Sequence, residues 1–389
     1  MIRSIVLSVL VFLLATPAIA QQASVIKIGG LAPTTGNVAT FGIGQRNSYE
    51  LAVEEVNKAG GLKVGDKRYK VQLIFEDEQN SPEVGATVAR KLINQDGVKA
   101  ILGPTNTKVC LPVGAIAQEN KVPMLTPTCT NPKVTLVGDY IFRAGFIDTF
   151  QGAVGAHFVY KTLGKRRAGV LFDNGNDYTK GLATYFKDAF EKLGGKVVAF
   201  ESFTDEEKTV DFRPQLISIK AANPDVLYSS DYYGAAALMA KQGGELGLNV
   251  PFMGGDGFDS PDLMRIGGQA VEGVYFTNFY SQDDPSPEVR RFIKAYRAKY
   301  KDTPDAYAAQ GYGAAQILFD AIQRAGKVDG PAIRNALAET KGLKTVVGVI
   351  SYDQNRNPTK PAVIIQIKKG QQSFVTQVSP QDLPSTIRP

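Results

Sequence analysis

The sequence predicts an α/β chain folded as two doubly wound, Rossmann-like lobes, and three observations carry that expectation. Its 389 residues suffice for about two domains of ~100–200 residues, each with its own core. Short apolar runs alternate with stretches of helical periodicity, the pattern of parallel sheets covered by helices on both faces. The strand-like runs are too numerous to sit comfortably in one open sheet. Composition agrees: 43% hydrophobic and 21% charged residues describe an ordinary globular chain rather than a disordered one.

Taken in order, the N-terminus reads as an address. Met1-Ile2-Arg3 is a short basic start, 5–15 is an apolar run broken by Ser8, and Thr16-Pro17-Ala18-Ile19-Ala20 ends in a small-x-small site. That is a secretory signal peptide over residues 1–20, with cleavage expected after Ala20 and a periplasmic destination. The run is too short for a membrane span, and no cysteine follows the site to carry a lipid. Strands are then expected at 25–31, 69–75, 98–102, 122–125 and 140–143, and again at 168–172, 196–200, 225–229, 250–253 and 273–278. Helices fall between them at 42–59, 82–96, 108–120, 148–163, 179–193, 211–222 and 233–246. Ser81-Pro82 starts one helix, and Gly60-Gly61 and Gly194-Gly195 stop two others. Further on, helices at 286–301, 305–325 and 331–339 run almost consecutively before strands at 345–352 and 361–367.

Composition narrows the chemistry. A single histidine and two cysteines leave little for imidazole catalysis, a zinc cluster or a disulfide scaffold, so a binder with no metal or cofactor is expected rather than an enzyme. His157, the one imidazole, falls in a helix-like stretch and not in a strand-end loop, which argues for packing. The net charge of +6 is scattered, and Lys165-Arg166-Arg167 and Lys368-Lys369 flank strands without interleaved aromatics, so no nucleic-acid partner is expected. A nucleotide site would need a third glycine in Gly42-Ile43-Gly44-Gln45-Arg46-Asn47, and a DNA-binding repressor would open with a helix-turn-helix.

In doubly wound sheets ligands bind beyond the carboxyl ends of the strands. In the first half those loops are hydroxyl-rich: Ala32-Pro33-Thr34-Thr35-Gly36, Gly103-Pro104-Thr105-Asn106-Thr107, and Thr126-Pro127-Thr128-Cys129-Thr130-Asn131-Pro132. In the second half they carry acids and tyrosines: Asp173 to Tyr178, Ser230-Asp231-Tyr232-Tyr233, and Gly254-Gly255-Asp256-Gly257. Facing each other, neutral donors on one side and acceptors with aromatic faces on the other fit a zwitterion such as an α-amino acid.

The stretches Ile28 to Gly36, Ala52 to Gly61, Pro123-Met124-Leu125-Thr126-Pro127 and Phe252 to Gly257, in that order and spacing, resemble the leucine/isoleucine/valine-binding proteins of branched-chain amino acid ABC transporters. The resemblance spans nearly the whole chain after the signal peptide. It implies a type I periplasmic binding fold, with three hinge crossovers near Phe142–Ala144, Tyr275–Asn278 and Gly348–Tyr352. Lobe 1 would then comprise 25–143 and 277–348, and lobe 2 would comprise 144–276 and 352–380. Carried over residue by residue, it implies that Thr107, Thr128 and Thr130 hold the ligand carboxylate. Asp256 would pair with the ammonium, where the best-known members carry glutamate, with Tyr178 and Tyr232 shielding it. Phe41 and Tyr307 would line the side-chain pocket, and the phenol of Tyr307 leaves room for a polar tip. Cys110 and Cys129 depart from the family's older disulfide and, at the ends of adjacent strands, could pair in an oxidising compartment. The implied partners are a small-molecule amino acid, branched-chain or aliphatic by default, and a membrane ABC permease, the protein itself being a monomer. The alternative is the same fold holding an aromatic carboxylate, amide or urea, for uptake or sensing.

Overall fold

The computed structural model describes residues 24–205 and 207–389; the signal segment and its cleavage site lie outside them. Strand β1 (Ser24–Ala32) is continuously buried from Ile28 onward, as a parallel strand covered on both faces must be. With β2 (Leu62–Val64), β3 (Lys67–Asp77), β4 (Ala100–Leu102), β5 (Met124–Thr126) and β6 (Ile141–Arg143) it forms a sheet of order β2-β3-β1-β4-β5-β6, parallel except for β2. The second sheet is built from β7 (Arg167–Asp173), β8 (Lys196–Phe203), β9 (Val226–Ser229), β10 (Phe252–Gly254) and β11 (Tyr275–Asn278). After a separate hairpin of β12 (Leu343–Thr345) and β13 (Gly348–Ile350), β14 (Ala362–Lys368) and β15 (Gln371–Val378) complete it. Its order is β15-β14-β11-β10-β9-β7-β8, with only β14 and β15 antiparallel.

Helices cover both sheets. Around the first lie α1 (Ala39–Lys58), α2 (Pro82–Lys91), α3 (Thr107–Glu119) and the short α4 (Lys133–Leu136). Around the second lie α5 (Asp148–His157), α6 (Asp177–Lys192), α7 (Arg213–Ala221), α8 (Tyr233–Glu245) and α9 (Pro261–Gly267). The chain then returns, and α10 (Pro287–Tyr300), α11 (Ala306–Ala325) and α12 (Gly330–Ala338) join the first lobe through α1. The contact of α1 with α11 is close because it is lined by glycine. A Cβ at Gly311 would lie 3.1 Å from Cα of Gln45, and one at Gly44 3.2 Å from Oδ1 of Asp305. Gly44 therefore serves helix packing, whereas Gly42 makes room for the loop before α1, where a Cβ would lie 1.9 Å from the Pro33 carbonyl oxygen. The chain passes between the sheets three times: after β6, after β11, and between β13 and β14.

Three elements differ from expectation. The strand expected at 345–352 is instead the hairpin β12–β13, because Gly348 at φ 103° turns the chain back and the Thr345 hydroxyl clasps the turn by donating to the Gly348 carbonyl at 2.8 Å. Strand β15 escaped notice because it is a polar, largely exposed edge with no apolar alternation. The helices expected at 82–96 and 148–163 end in wider π turns, Leu92–Asp96 and Phe158–Thr162. His157 closes α5 half-buried, and desolvation lowers its pKa. Among the described residues no helix is long and apolar enough to cross a membrane.

Candidate functional site

Between the lobes lies a sealed cavity with about 160 Å³ of empty space, lined by Asn106, Thr107, Thr128, Tyr178, Tyr232, Asp256 and Tyr307. None of these seven residues is more than 5% exposed. Six follow the carboxyl ends of β4, β5, β7, β9 and β10, and Tyr307 sits in the first turn of α11.

The first-lobe wall is neutral. Thr107 is the first residue of α3, and its buried hydroxyl has no partner within the protein. A helix start also presents unsatisfied backbone N–H groups and the positive end of the helix dipole, both suited to a carboxylate. Thr128 is tied into a buried network. Its hydroxyl donates to the Thr105 carbonyl at 2.8 Å and accepts from Nε2 of Gln45 at 3.0 Å, while Thr105 donates to Oε1 of Gln45 at 2.7 Å. With its proton committed, Thr128 shapes the wall and accepts, leaving Thr107 and the N–H groups of α3 as donors. A disulfide between Cys110 and Cys129 joins α3 to the loop that carries Thr128.

The second-lobe wall is charged. Oδ1 of Asp256 accepts from Nε2 of Gln151 at 2.6 Å and from the Tyr178 hydroxyl at 2.9 Å, and Oδ2 faces the Tyr307 hydroxyl at 3.4 Å. Burial pushes the Asp256 pKa up to about 6, and the hydrogen bonds from Gln151, Tyr178 and Tyr307 oppose the rise without cancelling it. Tyr178 also accepts from the Gly257 N–H at 3.2 Å, and its ring stacks on Tyr232 with centroids 5.4 Å apart. The glycines of the 254–257 loop make this packing possible. A Cβ at Gly255 would lie 2.9 Å from the Tyr178 hydroxyl, and one at Gly257 2.9 Å from the Tyr232 ring. Across the cleft the lobes are joined by Lys133–Asp177 at 2.7 Å, Lys108–Glu207 at 2.6 Å, and the Ala306 N–H donating to Asp259 at 2.7 Å.

Of the residues singled out in the sequence, Thr107, Thr128, Tyr178, Tyr232, Asp256 and Tyr307 are brought together on the cavity; Thr130 and Phe41 are not among its lining residues. Thr130 is tied to the start of α5 through its backbone, the Asp148 N–H donating to the Thr130 carbonyl at 3.0 Å, while its buried hydroxyl has no partner. Phe41 lies one layer back, stacked on Tyr307 with centroids 3.6 Å apart. Sequence reasoning missed Asn106, Gln45, Gln151, Arg143 and Asp148. Arg143 is fully buried at the end of β6 and donates to the carbonyls of Cys129 at 2.7 Å and Asn131 at 2.8 Å, bracing the 126–132 loop. Desolvation lowers its pKa to about 10, against the pull of Asp148. The Asp148 pKa is raised, first by burial and then by the charge of Asp256. Among the described residues no group of three or more His, Cys, Asp or Glu could hold a metal ion.

Two lobes meeting over a buried polar cavity have the architecture of a solute-binding protein. Residues 25–372 match the periplasmic binding protein family, and the chain belongs to that family. It is 34% identical over 339 residues to Leu/Ile/Val-binding protein homolog 3 of Brucella melitensis, covering 87% of this chain and 89% of the relative. Among solved structures it is similar to the leucine-binding protein LivK of Thermotoga maritima, at 36% identity and TM-score 0.87 over 92% of this chain and 100% of that one. It is also similar to LivJ of Streptococcus pneumoniae, a branched-chain amino acid transporter substrate-binding protein solved with isoleucine. The values there are 28% identity and TM-score 0.85, over 92% and 100% of the two chains. The fold is thus of the type I periplasmic binding class, and its family consists of periplasmic solute-binding proteins of transporters, not enzymes.

Proposed function

We propose that this chain captures an α-amino acid in the interlobe cavity and delivers it to an ABC permease in the membrane. The observation that carries the reading is Asp256, a buried carboxylate facing a tyrosine-lined cavity whose opposite wall offers only neutral donors. An ammonium group would return the charge balance that burial removes, and a carboxylate on the same ligand would meet Thr107 and the start of α3. An aromatic carboxylate would set a second negative charge beside Asp256, and an amide or urea would offer it N–H donors but no compensating positive charge. Branched-chain and smaller aliphatic amino acids are the expected ligands, with Tyr307 able to accept a polar tip. Lobes 25–143 with 277–348, and 144–276 with 352–380, would hinge about the crossovers, the ligand favouring the closed arrangement. The Cys110–Cys129 disulfide would hold the 126–132 loop to α3. Export would remove residues 1–20, and the mature monomer would work in the periplasm without a cofactor. A thermal-shift screen of ligand-stripped protein against amino acids and aromatic acids tests the reading, since ligand at 100 times Kd stabilises by about 2.7 kcal/mol. Stabilisation by amino acids supports it; stabilisation only by acids lacking an amino group overturns it.

A further inference from the structure

Away from the cleft, a recess of about 520 Å³ opens where the interlobe segments meet, and Leu136, Phe146, Phe150, Thr149, Pro358 and Lys360 are among its lining residues. Two of them carry orphaned polar atoms. Lys360 is 3% exposed, yet its Nζ has no hydrogen-bond partner, and the Thr149 hydroxyl is likewise buried and unpartnered. The nearest aromatic contact of the lysine is the Phe279 ring, 5.9 Å from Nζ, and Phe279 stacks in turn on Phe146 at 4.3 Å. Phe146, Phe279 and Lys360 come from the first, second and third passages of the chain between the sheets. The one acidic side chain on the recess, Asp353, is exposed and already accepts from the backbone N–H groups of Asn355 at 2.8 Å and Asn357 at 2.9 Å.

A buried amine without a counter-charge is costly to keep, and an anion with a small hydrophobic body would satisfy both the amine and the apolar walls. We propose that this recess is a second ligand site, for a small monocarboxylate with a compact apolar body, its carboxylate held by Lys360 and Thr149. Desolvation lowers the Lys360 pKa to about 7, in keeping with an ammonium that lacks an anion. A molecule bound there would touch two of the three passages directly and the Phe279 of the other through Phe146, so occupancy would stiffen the hinge in the arrangement seen here.

The probe is cyclohexanecarboxylate, titrated calorimetrically into the full mature protein, Lys360→Met, Thr149→Val and Asp256→Ala. The expected result is equal binding by the mature protein and Asp256→Ala, at least about tenfold weaker binding by Lys360→Met, and an intermediate loss in Thr149→Val. Undiminished binding by Lys360→Met, a changed affinity in Asp256→Ala (tighter binding there would put the probe in the cleft, where Asp256 repels a carboxylate), or no binding at all overturns the proposal. A second measurement needs no variant. Carbamylation of Lys360 by cyanate, followed by peptide mass spectrometry, should slow in the presence of the probe while exposed lysines react unchanged; equal slowing or none overturns it. Asp256→Ala that kept its amino-acid affinity would count against the cleft assignment and leave this one standing.

Discussion

The first-lobe wall of the cavity is assembled before any ligand arrives: Gln45, Thr105 and Thr128 satisfy one another, and Arg143 braces the loop from behind. The second-lobe wall is the reverse. Asp256 is held by Gln151 and Tyr178 but keeps an uncompensated charge, and its charge adds to the burial that raises the Asp148 pKa. One wall is a finished surface and the other a standing electrostatic cost. That difference explains how a receptor can stay open when empty: closing over Asp256 without a cation buries a lone carboxylate, and closing with one buries a pair.

Disabling the charged wall should have the largest effect. Asp256→Asn keeps the shape and an acceptor for Gln151 but loses the charge, and amino-acid affinity should fall about 10²–10³-fold by calorimetry. The same change should stabilise the ligand-free protein. Burial raises the Asp256 pKa from the ordinary aspartate range to about 6, so the folded state favours the protonated form. Its contribution is present in full below the unfolded pKa and is lost as pH rises through about 6, leaving a penalty of ~1–3 kcal/mol at neutral pH that Asn removes. Melting curves of the two proteins without ligand check this.

Acid should act on the two states in opposite directions. Below pH 6 the carboxylate that must pair with the ammonium protonates, and affinity should fall about tenfold per pH unit, while the ligand-free protein gains from the same protonation. Tyr178→Phe removes one hydrogen bond to the Asp256 carboxylate and strands the Gly257 N–H, and should weaken binding about tenfold. Changes to the neutral wall should matter least. Gln45→Leu, or the paired Cys110→Ser and Cys129→Ser changes, should cost roughly a few-fold in affinity, because Thr107 and the start of α3 remain, and should show mainly in melting temperature. A larger loss from the neutral wall than from Tyr178→Phe would reverse the comparison.

The strand-end rule made most of this cavity legible in the sequence. Thr107, Thr128, Tyr178, Tyr232 and Asp256 all lie directly after strands whose apolar runs stand out. The residues behind the walls were harder to see. Gln45 and Gln151 look like solvent-facing helix positions, and only tertiary packing turns them inward. Arg143 ends a strand in a place where a charge is ordinarily exposed. Thr130 and Thr128 differ by two residues in one loop, and no periodicity tells which faces the cavity. Phe41 is expected on the side-chain pocket, but Tyr307, far along the chain, stacks in front of it and takes that place.

The central claim is that lobe 2 reads the amino group and lobe 1 the carboxylate of one ligand. Calorimetry of leucine and its des-amino analogue 4-methylpentanoate against the mature protein and Asp256→Asn tests it most directly. The account predicts that the mature protein prefers leucine by at least about 10²-fold and that this preference collapses in Asp256→Asn. Equal affinity for the two compounds in the mature protein, or an undiminished preference in the variant, would contradict it.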